Sequence, residues 1–230
     1  MPLFRDEDED LEVLPFADRV EAGCVLAGKL AAYSGRHDVM VMGLPRGGVP
    51  VASALAGALH LPLNVCVVSK IRFPWNPELA MGALGEDGVQ VLDVSLVNGL
   101  GLSDRDMQEG TAAAREELEY RQQHYPRGPT EVKLKAKTVI LVDDGIATGC
   151  SILAAIATFR RKEARVVVAV PVIPASAWNV IRMEADEVIS VAQPEVFLAV
   201  SQWYQDFTQI SDEDVCRLLA KRHDALSHAA

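Results

Sequence analysis

The chain has 230 residues, half of them hydrophobic and 23% charged, with 32 acidic side chains against 22 lysines and arginines, for a formal net charge of −10. That length and balance suffice to bury a sizeable core as one domain, or one domain with an appendage, and the negative charge argues against nonspecific nucleic-acid binding, which relies on cationic surface. No apolar run is long enough to span a bilayer, and residues 1–6 lack the basic and apolar regions of a signal peptide, so a soluble, cytoplasmic protein is expected.

Half of the charge is local. Residues 5–12 set six acids against Arg5, and residues 1–14 read as a solvated, poorly ordered acidic tail. Residues 15–230 carry no repeat or low-complexity linker and read as one domain. Cys24, Cys66, Cys150 and Cys216 are widely spaced without a Cys-x-x-Cys pair, which suggests neither a disulfide framework nor a zinc site.

In chain order, apolar residues at helical spacing (Val20, Cys24, Ala27, Leu30) predict a helix over 16–34 that ends at Gly35. A strand over 39–42, a helix over 50–60 and a strand over 63–69 follow. Residues 69–83 leave that strand as a Pro-rich, aromatic segment. A short strand is predicted over 89–92, and Ser103 opens a long polar helix to about residue 124. The β-branched run 139–142 is apolar enough to be buried on both faces, as parallel strands are. A helix over 148–161, a strand over 165–170, a helix over 175–184 and a strand over 187–191 repeat the alternation. Ser211, with Asp214 three residues on, caps a last helix over 212–226. Alternating helix and strand imply an α/β fold built on a doubly wound parallel sheet.

In such sheets ligands bind beyond the carboxyl ends of the strands, which is where Asp143 and Asp144 fall. After them, Gly145 to Ser151 bring backbone N–H groups, the hydroxyls of Thr148 and Ser151 and a helix N-terminus together, the chemistry that holds a phosphate. Two carboxylates cannot serve the same phosphate, so they should face polyol hydroxyls or a divalent cation. An ordinary strand-turn-helix with an acidic cap would explain one Asp and the Gly, but not the whole string.

That string, Val142-Asp143-Asp144-Gly145-Ile146-Ala147-Thr148-Gly149-Cys150-Ser151, resembles the phosphoribosyl pyrophosphate (PRPP) motif of type I phosphoribosyltransferases. Upstream, Gly43-Leu44-Pro45-Arg46-Gly47-Gly48-Val49-Pro50 resembles the family's pyrophosphate loop, which often holds a non-proline cis bond, by position Pro45 to Arg46. Read alone, that loop is equally a βα turn with a solvated Arg46. Asn76-Pro77-Glu78 with a following Gly82-Ala83, and the stretch 194–207 ahead of Ser211-Asp212-Glu213-Asp214-Val215, are similar to a bacterial branch of predicted phosphoribosyltransferases whose acceptor is not generally established.

The resemblance implies a Rossmann-like type I fold with a small hood, in which Asp143 and Asp144 hold the ribose hydroxyls, directly or through water on Mg²⁺. It places the 5-phosphate on Ile146, Ala147, Thr148, Gly149, Cys150 and Ser151, and the leaving pyrophosphate on Arg46, Gly47, Gly48 and Lys70. Cys150 itself reads as a small tolerated residue rather than a nucleophile. Lys70 and Arg72 share one side of an extended chain, facing pyrophosphate or solvent. Glu78 is an acid/base group or merely a helix-start acid. Trp203, Tyr204 and Phe207 form a hood over a flat base or pack a core. The polar stretch 120–128 could supply a mobile loop that closes over PRPP. Ala147 stands where 6-oxopurine enzymes carry an Asp, and alanine cannot transfer a proton. This moves hypoxanthine and guanine from the front rank, although adenine enzymes carry a similar run.

The implied activity is transfer of ribose 5-phosphate from PRPP to a nitrogen nucleophile, a small-molecule acceptor, with Mg²⁺ as cofactor. Two alternatives use the same residues: a PRPP- or nucleotide-binding regulatory protein, and a phosphoribosyl hydrolase. Dimerisation is common in the family, and a homodimer is the expectation it brings, with no interface marked in the sequence.

Overall fold

The computed structural model describes residues 15–73, 75–126 and 134–227, the side chains at 77, 78 and 224–227 excepted. The first half runs α1 (Arg19–Lys29), β1 (Val39–Gly43), α2 (Gly48–Ala58), β2 (Leu63–Val65), β3 (Val68–Phe73), β4 (Asn76–Gly85), β5 (Gln90–Leu92), α3 (Val94–Gly99) and α4 (Asp104–His124). The second half runs β6 (Thr138–Val142), α5 (Cys150–Arg161), β7 (Arg165–Val172), α6 (Ala175–Glu184), β8 (Glu187–Ala192) and α7 (Asp212–Ser227).

Five strands form a parallel sheet in the order β2-β1-β6-β7-β8. The apolar runs of the central strands β1, β6 and β7 are continuous because each face of the sheet is covered there. Val39, Val41, Ile140, Val142, Val167 and Ala169 turn to the layer of α1, α2 and α7, while Met40, Met42, Val139, Leu141, Val166 and Val168 turn to α5 and α6. Ile140 and Leu141 are fully buried, and each contributes on the order of 2 kcal/mol by leaving water. The doubly wound parallel sheet expected from the alternation is therefore present. From β1 the chain winds outward through α2 to β2, and from β6 it winds the other way through α5 to β7. The order reverses between β1 and β6, and a crevice opens beyond their carboxyl ends.

Three expectations need correction. The strand expected over 63–69 is two strands in different sheets. The chain leaves the parallel sheet after Val65, where Cys66 N–H reaches back to Gly43 O (3.0 Å), and Val68 starts an antiparallel sheet ordered β3-β4-β5. Residues 69–83 are accordingly a β-hairpin rather than an irregular segment, with register shifts between Ile71 and Phe73 opposite the stretch where Pro77 has no N–H to offer the ladder. The helix expected from residue 16 starts at Arg19. Phe16 lies in a bridge to Tyr204, and Asp18 accepts from Val20 N–H and Glu21 N–H as the N-cap. The short helix α3, capped by Asp93, was not expected. Helix α1 also stops at Lys29, five residues before its expected end, and a 3-10 turn over Ala31–Tyr33 carries the chain on to Gly35. The remaining ends differ by two residues or fewer, and the capping boxes at Ser103 and Ser211 are formed.

The acidic run 1–14 and Arg127-Gly128 of the candidate closing loop lie outside the described residues. No helix among the described residues is long and apolar enough to cross a membrane.

Candidate active site

The crevice between β1 and β6 holds a cavity of about 400 Å³. Its floor is the loop 44–47 after β1 and the loop 143–149 after β6. Leu44 N–H donates to Val142 O (2.8 Å), which ties the two loops edge to edge. The peptide between Pro45 and Arg46 is cis, at the position the family pattern gives. Glycine is required here by contact: a methyl at Gly47 would lie 2.0 Å from Asp144 Oδ2, and one at Gly48 would lie 2.6 Å from Val142 O. Helix α2 can therefore begin directly against the acid pair.

Asp143 Oδ1 accepts the Asp144 N–H (2.9 Å). Both residues border the cavity. Burial pushes the Asp143 carboxyl well above the ordinary range, and the neighbouring Asp144 charge adds to this, against a smaller pull from Lys70. Burial also raises Asp144, but the Arg19 guanidinium opposes it by charge and by a hydrogen bond from Nε to Oδ2 (2.8 Å). The two acids thus differ in surroundings: Asp144 has a cation in direct contact, while Asp143 faces chiefly its neighbour's carboxylate.

Beyond the acids, Ile146 N–H bonds Val172 O (3.0 Å), and Gly149 takes the left-handed conformation (φ 87°) that starts α5 at Cys150. The first amides of a helix have no partner within it, and here Ser151 and Ile152 of that first turn border the cavity together with Thr148 and Gly149 just before it. Cys150 opens α5 half-buried, and burial pushes its thiol up, away from the nucleophilic thiolate.

The opposite wall is cationic. Lys70 and Arg72 share one face of β3, as alternation predicts, while Ile71 and Phe73 enter the core. Lys70, Arg72 and Arg46 all border the cavity, with Arg121 from α4. Arg72 Nη1 and Arg121 Nη2 both pair with Glu117, at 2.9 and 2.8 Å. Burial works against the Glu117 charge, yet Ser69, Arg121 and Arg72 together hold its carboxyl below the ordinary range.

Among the hood candidates, Phe207 borders the cavity with Val200, while Trp203 and Tyr204 do not. Tyr204 is buried against Phe16 and Phe207, and its hydroxyl donates to the Asp144 carbonyl (2.6 Å). Trp203 is half-buried in the same cluster. Glu78 lies within β4 rather than a loop, and its side chain is outside the described residues.

Arg19 escaped the sequence reading, and Arg121 and Val200 entered it only as members of the stretches 120–128 and 194–207. Arg19 pairs with a residue 125 positions away and sits in the first turn of a helix, where a cation carries no motif.

Among the described residues no cluster of three or more His, Cys, Asp or Glu forms a metal cage. Mg²⁺ suits the site in another way. It usually keeps several waters and takes one or two carboxylates plus substrate oxygens, and Asp143 and Asp144 supply such a pair at a cavity edge.

A parallel sheet with a phosphate-type loop, an acid pair and a cationic loop at its switch point defines the type I phosphoribosyltransferase class. The phosphoribosyl transferase domain family matches residues 21–207. A Mycobacterium tuberculosis protein, found alike in strains CDC 1551 / Oshkosh and H37Rv and provisionally named a phosphoribosyl transferase, is 43% identical over 215 residues. The match takes in 93% of this chain and 48% of that protein, so the chain spans about half the length of these curated relatives. The crystal structure of TT1426 from Thermus thermophilus is 39% identical, with a TM-score of 0.72, over 90% of this chain and 99% of that one. The chain belongs to the phosphoribosyltransferase family.

Proposed function

We propose that the protein transfers ribose 5-phosphate from PRPP to a nitrogen nucleophile and releases pyrophosphate. The observation that carries this reading is the cavity itself, where an acid pair, a phosphate-type helix start and a cationic wall surround about 400 Å³. In this reaction the bond from C1′ to the pyrophosphate oxygen breaks and a bond from C1′ to nitrogen forms. The transition state resembles an oxocarbenium ion, so catalysis comes from holding the ribose while steadying the charge that leaves.

Asp143 and Asp144 take the ribose hydroxyls, and the loop Ile146 to Ser151, with Ala147, Thr148, Gly149 and Cys150, wraps the 5-phosphate. Arg46, Gly47 and Lys70 face the pyrophosphate, and Arg72 and Arg121 border the same wall; Gly48, buried with its N–H bonded to Leu44 O, packs beneath them rather than facing the ligand. Mg²⁺ bound by the acid pair and substrate oxygens would neutralise part of the pyrophosphate charge. Val200 and Phe207 supply an apolar wall suited to the face of a planar heterocycle. The acceptor is best sought among bases whose proton needs no carboxylate at position 147.

The test is incubation with Mg²⁺, PRPP and a panel of bases, following pyrophosphate and nucleotide. Base-dependent pyrophosphate release is expected. Release without any base would favour hydrolysis, and tight PRPP binding without turnover would favour a sensor. The double variant Asp143→Ala with Asp144→Ala should lose PRPP binding in calorimetry while remaining folded. Unchanged affinity there would sink the assignment of the acid pair.

A further inference from the structure

Arg19 is the first residue of α1, a position where the helix dipole disfavours a cation, and only 8% of its surface is exposed. Buried ion pairs are weak devices for stability, because desolvation offsets much of the attraction. Its placement is better understood from what it touches. Nε donates to Asp144 Oδ2 at 2.8 Å and Nη1 donates to Thr208 O at 2.9 Å. The guanidinium carbon lies 3.9 Å from the centre of the Phe207 ring.

Asp144 is therefore confined on several sides. Its Oδ2 sits between Arg19 and the bare Cα of Gly47, where even a methyl group would lie at 2.0 Å. Its carbonyl accepts the Tyr204 hydroxyl at 2.6 Å. One contact fixes the side chain and the other fixes the main chain, from the amino-terminal helix and the segment that follows β8. Asp143, by contrast, is bonded to its own neighbour's N–H.

We propose that Arg19 and Tyr204 are positioning residues that hold Asp144 in one orientation toward the ribose, Arg19 at its carboxylate and Tyr204 at its carbonyl. The proposal rests on the phosphoribosyl reading above and assigns Tyr204 to the support of the acid rather than to stacking on the acceptor. Because Arg19 also grips Thr208 and Phe207, the ribose-binding acid and the apolar wall share one support. An acceptor pressing on Phe207 bears on the same guanidinium that orients Asp144.

The experiment is calorimetry on wild type, Arg19→Met, Arg19→Lys and Tyr204→Phe, with thermal unfolding of each. Two probes are used: PRPP with Mg²⁺, and inorganic pyrophosphate without the metal, which has no ribose. Arg19→Met should weaken PRPP at least tenfold and leave pyrophosphate within twofold, with Arg19→Lys recovering part of the loss. Tyr204→Phe, which keeps its ring, should weaken PRPP selectively by a smaller factor. Wild-type PRPP affinity in both Arg19→Met and Tyr204→Phe would overturn the proposal. So would a parallel loss of both probes, which marks a merely structural role. Should Arg19→Met fail to fold, Tyr204→Phe decides by the same criterion. A wild type that does not bind PRPP overturns the parent reading first, before any variant is compared.

Discussion

Replacing Gly47 by alanine tests whether α2 must start against the acid pair. The added methyl would lie 2.0 Å from Asp144 Oδ2 and 2.6 Å from its carboxyl carbon. The carboxylate has to retreat by about 1 Å or more, and overpacking of this kind costs about 1–3 kcal/mol. The retreat also strains the Arg19 hydrogen bond at 2.8 Å, and a bond to a charged group contributes about 1.5–3 kcal/mol. Taken near the lower ends, the combined loss is about 3 kcal/mol, or a fall of roughly 6–12 °C in melting temperature for a chain of this size. Domains usually hold about 5–15 kcal/mol in reserve, so the variant should still fold. Gly99→Ala is the matched control, since a methyl there meets nothing within 4 Å; it should stay within about 0.5 kcal/mol of wild type. Differential scanning calorimetry and PRPP titration on both variants provide the readout. The reasoning is refuted if Gly47→Ala melts with the control and binds PRPP as wild type does.

Asp143→Asn should stabilise the metal-free protein near neutral pH while weakening PRPP binding. Asparagine keeps an acceptor for the Asp144 N–H but removes a charge that burial and Asp144 both disfavour. Because the folded carboxyl is raised, wild type recovers stability as pH falls through that raised value, fully so below the ordinary carboxylate value of about 4. The advantage of the variant should therefore shrink on acidification in denaturant titrations; an advantage that grows there contradicts the sign. Lys70→Met should lower pyrophosphate affinity with a stability change within about 0.5 kcal/mol, since the side chain is exposed beside the cavity. Equal pyrophosphate binding by the variant would remove Lys70 from the leaving-group wall.

The parallel sheet was legible because its signal is local: β1, β6 and β7 are unbroken apolar runs, and both loops that floor the cavity follow such runs within a few residues. The helix start at Ser103 and the cap at Ser211 with Asp214 were legible for the same reason; the capping box that Ser103 forms with Asp106 was not read. The β3–β4 hairpin was not, because β2 and β3 are separated by only Cys66 and Val67, and apolar character continues across the break between sheets. Phe16 mimicked a helical face while pairing in a bridge with Tyr204. Phe207 and Tyr204 could be assigned to cavity or core only once the positions of Arg19 and Asp144 were known, contacts that span much of the chain.

The acid pair rides on the parallel sheet and Lys70 on the antiparallel one, and among the described residues no strand pairing joins the two. The spacing of the negative and positive walls thus depends in part on how β4 seats on α5. At that seat a methyl on Gly85 would come within 2.7 Å of the buried Thr158 hydroxyl, itself bonded to Ala154 O at 2.8 Å. Substitutions at Gly85 or Thr158 should therefore shift Lys70 relative to the acid pair from outside the cavity, a change of spacing made without touching any residue that lines it.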